Sequence, residues 1–303
     1  MDWNLKILGS GSALPTNKRK LSGQLLNTQY HSFLFDCSEG IQFRFKEYNV
    51  KFFSINRIFI SHFHGDHIFG VFGLITTFHM LKRTEPLFIY AFKGLDKVCE
   101  DIFKLTNTKL EFELIFVYLN DDRDKVIFED EHIEVHSFPL KHRIPCCGFF
   151  VKEKLNHLNL NKEFLENNDI PLDWLSRLQK GEDFVKNDGE IISNSKITLP
   201  PRPLKSFAYC SDTSFFPEIV DSIKNVKLLY HEATFDNEHQ KDAINKLHST
   251  AEEAAKIATL ANADTLLIGH FSSRFININI FKEEAKMQFY NVICAEDGMD
   301  ITF

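Results

Sequence analysis

The stretch Phe59-Ile60-Ser61-His62-Phe63-His64-Gly65-Asp66-His67 places three histidines and an aspartate within six residues, directly after an apolar run. Imidazole and carboxylate are ligands of Zn²⁺ and related divalent ions. Alternation along an extended segment puts His62 and His64 on the same side. Gly65 is expected to allow a sharp turn, which swings Asp66 and His67 to a neighbouring point. One loop would then supply two ligand pairs, one for each of two metals. A polar loop with chance histidines is the competing reading. The ligand density, placed just after a strand-like run, argues against it.

Outward from this loop, further ligand-type residues fall at the ends of strand-like runs. Asp36 follows a run over 32–35 and precedes a helix beginning near Ile41. It and Glu39 suit a helix N-terminus, while Asp36 also suits hydrogen bonding to a ligand histidine. His142 follows the run over 133–138, Asp212 the run over 207–209, and His231-Glu232 the run over 226–230. His270 follows the run over 265–269. His248 stands before a helix, where Ser249 and Glu252 fit a capping box. Helices are expected over 68–82, 95–105 and 281–290, and strands also over 86–91, 112–118 and 124–128. Strands and helices alternate in two halves. The pattern is a layered α/β protein whose site assembles from loops at strand ends.

These residues sort by chemistry. His62, His64 and His142 are assigned to one metal, and Asp66, His67 and His270 to the other. Asp212 is the natural bridge, since a carboxylate offers two oxygens. Two metals roughly 3.5–4 Å apart lower the pKa of a shared water and clamp an in-line displacement at phosphorus. Asp66 is a candidate acceptor for the water's proton. His248, oriented by Glu232, is a candidate donor to the leaving oxygen. Ser272, Ser273 and Arg274 are candidates for binding phosphate. Zn²⁺ suits the histidine-rich set best, and Mn²⁺ or Fe also fit mixed nitrogen and oxygen sites. His31, His79, His132, His136, His157 and His239 are read as structural or solvated, and His231 as a ligand type without a vacancy.

The bulk properties set bounds. The chain has 303 residues, 44% of them hydrophobic, ample for a sizeable core. No apolar run approaches the roughly 20 residues of a membrane span, and the N-terminus lacks signal-peptide character, so a cytoplasmic protein without membrane contact is expected. Six cysteines without C-x-x-C spacing suggest no disulfide framework; Cys146 and Cys147 are read as small buried residues. The net charge of −7 speaks mildly against a nucleic-acid substrate, although two bound cations would make the site locally cationic. Residues 152–203 change character, with mixed charge, short helical pieces, a hairpin turn over 186–190 and a closing Pro200-Pro201. They read as an inserted excursion within one domain spanning 1–303.

His62-x-His64-x-Asp66-His67 matches the signature of the metallo-β-lactamase superfamily. The chain further resembles the ribonuclease Z family of tRNA 3′-processing endonucleases. The resemblance lies in Gly9-Ser-Gly-Ser-Ala-Leu-Pro15, Phe35-Asp36-Cys37-Ser-Glu39-Gly40, Ser211-Asp212-Thr213, His231-Glu232-Ala-Thr234-Phe235, His248-Ser249-Thr250 and His270-Phe-Ser-Ser-Arg274. It implies a four-layer αββα sandwich with an inserted protruding arm, and two Zn²⁺ per chain. It implies removal of the 3′ trailer from precursor tRNA by a metal-shared hydroxide, with Asp66 and His248 in the proton-transfer roles above. It also implies a homodimer, and makes 152–203 the arm that grips the tRNA. Where the family arm carries a Gly-Pro turn, this chain has Ile170-Pro171-Leu172-Asp173-Trp174, and its arm is less basic. The alternative is a small-molecule phosphodiesterase or other ester hydrolase of the same superfamily. The long arm argues against it, since a small substrate needs no distant grip.

Overall fold

The apolar runs become two seven-stranded sheets in the computed structural model, which describes residues 2–154, 157–186, 188–199 and 203–303. The first half supplies β1 (Asn4–Gly9), β2 (Gly23–Asn27), β3 (Ser32–Phe35), β4 (Ile55–Phe59), β5 (Leu87–Ala91) and β6 (Leu114–Tyr118). The second sheet takes β7 (Lys125–Glu129), β8 (Ile133–Pro139), β9 (Cys147–Glu153), β10 (Ser206–Cys210), β11 (Leu228–Glu232), β12 (Thr265–Gly269) and β13 (Val292–Cys294). The last strand, β14 (Asp300–Thr302), returns to the first sheet. The orders are β14-β1-β2-β3-β4-β5-β6 and β13-β12-β11-β10-β9-β8-β7. Pairing is parallel from β3 to β6 and from β10 to β13. Parallel strands are covered on both faces and read as continuous apolar runs; β10 and β11 are buried at every residue.

The covering helices come from amphipathic segments. On the first sheet, α1 (Ile41–Glu47), α2 (Gly70–Met80) and α3 (Leu95–Leu105) bring Phe45, Leu74, Phe78 and Phe103 into one core with Leu34, Ile58 and Ile89. On the second, α4 (Ala251–Leu260) packs through Ala254, Ala255 and Ala258, whose small side chains let the helix approach closely. It shares a core with Phe281 of α5 (Asn279–Lys286) and with Ala208, Leu229 and Ile268. Between the sheets lies an aromatic layer. Phe35 sits 5.4 Å from Phe207 and 5.8 Å from Phe149, and Phe59 lies 4.4 Å from Tyr90 and 5.4 Å from Phe149. Helix, sheet, sheet, helix is the αββα sandwich. No helix among the described residues is long and apolar enough to cross a membrane.

Several local expectations change. The helix over 68–82 is two pieces, Gly65–Ile68 and α2. Beside the break stands Gly70, where a Cβ would fall 1.9 Å from the Ser38 carbonyl oxygen. The strand β9 was not anticipated, because Cys146-Cys147-Gly148 interrupts its apolar pattern. Gly148 is required there by the Phe138 ring, 2.4 Å from a Cβ at that position. The capping box is one residue later than expected. Thr250 accepts from the Glu253 N–H and Glu253 accepts from the Thr250 N–H, since Ser249 instead donates its hydroxyl to the Thr213 carbonyl. The helix at 281–290 starts earlier and ends at Lys286. Gly40, in a left-handed conformation, is the N-cap of α1, with no side chain capping it; Asp36 and Glu39 do not cap.

The chain divides into two compact units. One comprises the residues up to Phe128 with Val135–Val151 and Ser206–Phe303; the other comprises Glu129–Glu134 with Lys152–Lys205. The second unit takes in the inserted segment and a short stretch that the sequence reading left outside it. It has its own small core of Leu178, Phe184 and Ile197, against which Phe164, Ile170, Trp174 and Ile192 pack. Buried Asn194 ties it together by donating its amide to the carbonyls of Leu178 and Glu182. The hairpin of Phe184–Val185 with Ile191–Ile192 forms as expected. Asn187 in its turn, and Pro200-Pro201, lie outside the described residues.

Candidate metal centre

Parallel pairing aligns the carboxyl ends of β3 with β4 and of β10 with β11 and β12, and the loops leaving those ends carry the site. Asp36, His62, Asp212 and His270 each stand within three residues of such an end, and His142 follows β8. Two of them sit in unusual backbone: Asp36 at φ 56° and His270 at φ 62°, in the left-handed region that non-glycine residues seldom adopt.

The side chains converge on two neighbouring points. At the first, His62 Nε2 lies 3.0 Å from His64 Nδ1, which lies 3.2 Å from His142 Nε2. At the second, His67 Nε2 is 3.5 Å and His270 Nε2 3.6 Å from Asp66 Oδ2. Asp212 stands between them and offers one oxygen to each. Its Oδ2 is 3.6 Å from His62 Nε2 and 3.8 Å from His142 Nε2, and its Oδ1 is 3.1 Å from His270 Nε2 and 3.5 Å from His67 Nε2. The ligand atoms of His62, His64, His142 and Asp212, and those of Asp66, His67 and His270, each lie within 4.8 Å of one another. Asp212, His248 and His270 form a third grouping of that kind.

The far side of these rings is held by hydrogen bonds, as metal-binding histidines require. His67 Nδ1–H donates to Asp36 Oδ2 at 2.7 Å. The same carboxylate accepts from the Ser61 N–H and hydroxyl and from the Tyr209 hydroxyl. His62 Nδ1–H donates to Ser61 Oγ, His142 Nδ1–H to the Leu247 carbonyl and His270 Nδ1–H to Thr234 Oγ1. Thr234 in turn donates to Glu232 Oε2. With their Nδ1 atoms satisfied, His67 and His270 point Nε2 inward. Those two atoms and Asp212 Oδ1 are buried without any hydrogen-bond partner. Buried polar atoms are nearly always paired. Three buried polar atoms without partners, facing one another, are what a bound cation would satisfy, so the donor set fits divalent metal.

Electrostatics agree. Burial lowers the pKa of His62, His64 and His142, keeping these rings neutral and able to ligate. Burial also opposes charge on His67, yet Asp212, Asp36 and Asp66 raise its pKa well above the ordinary value. For Asp66, burial is outweighed by His67 and His270, and for Asp212 by His270, His67 and His62. Both carboxyls are held far below the carboxylate range. His248 is held by a carboxylate as His67 is. Its Nδ1 donates to Glu232 Oε1 at 2.8 Å, and against the effect of burial Glu232 pushes its pKa up to about 9. Cys146 and Cys147 are fully buried, and burial raises their thiol pKa values well above normal, so neither offers a thiolate.

The centre opens into a cleft of about 530 Å³, lined by Leu14, Phe69, Arg143 and Lys246 besides the clustered residues. Ser272, Ser273 and Arg274 do not line it. The Ser272 N–H donates to the Thr234 carbonyl and its own carbonyl accepts from Arg19. Arg274 donates to Asp242 at 2.7 Å and lies over the Phe235 ring. The cations lining the cleft are Arg143 and Lys246, which sequence reading passed over because neither stands in a ligand-rich motif. Thr234 and Tyr209 were missed for a similar reason: nothing local marks a hydroxyl that holds another residue's ligand.

Residues 3–158 match the family model described as "Anti-Pycsar protein Apyc1". That span takes in the His62–His67 loop and His142 but stops before Asp212, His248 and His270. The chain is 40% identical over 300 residues to a protein of Bacteroides fragilis (strain YCH46) named "Ribonuclease Z", covering 99% of each. The chain belongs to the ribonuclease Z family. Among solved structures, the human short-form tRNase Z is similar with a TM-score of 0.72 and 27% identity, over 98% of each chain. The metallo-β-lactamase fold protein YhfI of Bacillus subtilis, at 18% identity and a TM-score of 0.70 over 100% of each chain, matches in fold. As a ribonuclease Z family member the chain is a hydrolase built on the metallo-β-lactamase fold.

Proposed function

We propose that this protein is a divalent-metal-dependent endoribonuclease that removes the 3′ trailer from precursor tRNA. The observation that carries the reading is the placement of Asp212, one oxygen toward each ligand group, within a chain similar along its full length to a protein named ribonuclease Z. Two divalent cations, Zn²⁺ first by ligand type, would supply Lewis acidity and a water of lowered pKa. His62, His64 and His142 would hold one, Asp66, His67 and His270 the other, and Asp212 both.

The chain's own residues supply the proton transfers. Asp66 Oδ2 faces the second group and also accepts the Ala13 N–H at 2.8 Å, which fixes the carboxylate as it takes a proton from the attacking water. Glu232 holds His248 by Nδ1 and stabilises its charged form, leaving Nε2–H as the proton to give to the leaving oxygen. Arg143 and Lys246 give the cleft positive charge that the chain as a whole lacks. The inserted unit is the candidate grip for the body of the tRNA. A homodimer acting in the cytoplasm accords with the family resemblance.

The test is cleavage of a trailer-bearing pre-tRNA transcript by chelated and metal-reconstituted protein, with the cut position mapped. Cleavage at the trailer junction, lost on chelation and restored by metal, is expected. No restoration would sink the reading. A kcat/KM on bis(p-nitrophenyl) phosphate above that on pre-tRNA would assign the site to a small-molecule phosphodiesterase.

A further inference from the structure

Phe69 is a large aromatic residue left 60% exposed, at the mouth of the metal cleft. Exposed apolar side chains are common and need no explanation singly. This one is seated. A Cβ on Gly65 would fall 2.4, 2.8 and 2.9 Å from Cε2, Cδ2 and Cζ of the Phe69 ring. Gly65 is not among the residues with positive φ, so the glycine in the middle of the metal loop admits that ring and does not serve a turn. Leu14, 64% exposed, lines the same cleft. It follows Ala13, which sits at φ 54° and donates its N–H to Asp66. Both apolar surfaces are thus fixed to the Asp66 part of the centre.

The His142 part of the same cleft carries the cations. Arg143 donates to the Asn245 carbonyl, and Lys246 precedes Leu247, whose carbonyl receives His142 Nδ1–H. Aromatic faces with nearby cations are how proteins hold unpaired nucleotides, since every base has a face to stack and every linkage a negative charge. The clustered carboxylates and rings between the two parts mark where the phosphate reacts. Resting on the endonuclease reading above, we propose that Phe69, with Leu14, is a substrate-positioning platform on which a base flanking the scissile phosphate stacks.

The experiment compares wild type with Phe69→Ala and Phe69→Trp on pre-tRNA, each flanking nucleotide being replaced in turn by an abasic residue. Metal content and melting temperature are measured for every variant. Phe69→Ala is expected to lower kcat/KM about tenfold on the intact substrate, mainly through KM, and Phe69→Trp to restore it. One of the two abasic substrates should cost wild type a similar factor, and Phe69→Ala should then cost nothing more on that substrate. If Phe69→Ala costs the same on both abasic substrates as on the intact one, or Phe69→Trp with normal metal content fails to restore activity, the platform is refuted. RNA cleavage without the coupling overturns this inference alone. A wild-type protein that cuts no RNA overturns the endonuclease reading and this inference with it.

Discussion

Two clefts of nearly equal volume, about 530 Å³ at the metal centre and about 510 Å³ in the inserted unit, differ in everything else. The first is lined by histidines and aspartates, and inward atoms of two of them, His270 Nε2 and Asp212 Oδ1, lack hydrogen-bond partners. The second is lined by Trp174, Phe184, Ile192, two asparagines and a few charges, and among the described residues no buried polar atom of its unit is unpaired. Several of its unit's cations are paired within it: Arg177 with Glu182 and over Trp174, Lys186 with Glu190, Lys152 with Glu134, Lys154 with Glu129. The lesson is that volume does not mark chemistry. A site built for an ion shows as buried polar atoms that converge without partners, whereas the inserted unit pairs its buried polar atoms internally.

The contrast can be broken most forcefully at Asp212. Asp212→Ala should lower kcat by roughly 10³-fold or more, beyond the 10–100-fold typical of residues that only support a ligand. Metal analysis should show loss of bound ion, and full metal content would contradict the bridging role. His248→Ala comes next, lowering kcat about 10²–10⁴-fold with metal retained; an unchanged kcat removes it from proton transfer.

Asp36→Asn should weaken metal affinity about 10–100-fold, read by competition with a chelator. The sign of the pH dependence follows from His67, whose pKa is raised above the ordinary value. At neutral pH the metal-free ring holds a proton that an incoming ion must displace. Affinity therefore rises with pH up to that raised pKa and falls as pH drops. Binding with no proton release at pH 7 would contradict this. The smallest effect on chemistry is expected in the inserted unit. Leu178→Ala should destabilise that unit by about 2–5 kcal/mol and raise KM for pre-tRNA. Turnover of bis(p-nitrophenyl) phosphate should stay unchanged. A fall in that turnover would show that the unit contributes to the metal centre itself.

Much of this was legible in the sequence because metal ligation is a property of residue type. A loop with His62, His64, Asp66 and His67 announces its chemistry wherever it stands, and His142, Asp212 and His270 are recognisable by position after apolar runs. What escaped were residues whose role lies in a contact. Gly65 reads as a turn until the Phe69 ring is seen against it. Arg274 reads as a phosphate ligand, and the structure pairs it with Asp242 outside the lining of the cleft. The strand β9 was hidden because Gly148, required by the Phe138 ring, breaks the alternation.

The sequence by itself determined the ligand chemistry, the order of the strands that carry it and the family to which it belongs. Only the tertiary structure decided that Asp212 divides its oxygens between two groups, that Asp36 and Glu232 orient the rings, and that Phe69 lies over the metal loop. The physical reason is range. Ligand type and apolar alternation are written residue by residue. Convergence, by contrast, depends on parallel strand ends that two sheets, packed across an aromatic layer, bring within hydrogen-bonding distance from more than a hundred residues apart.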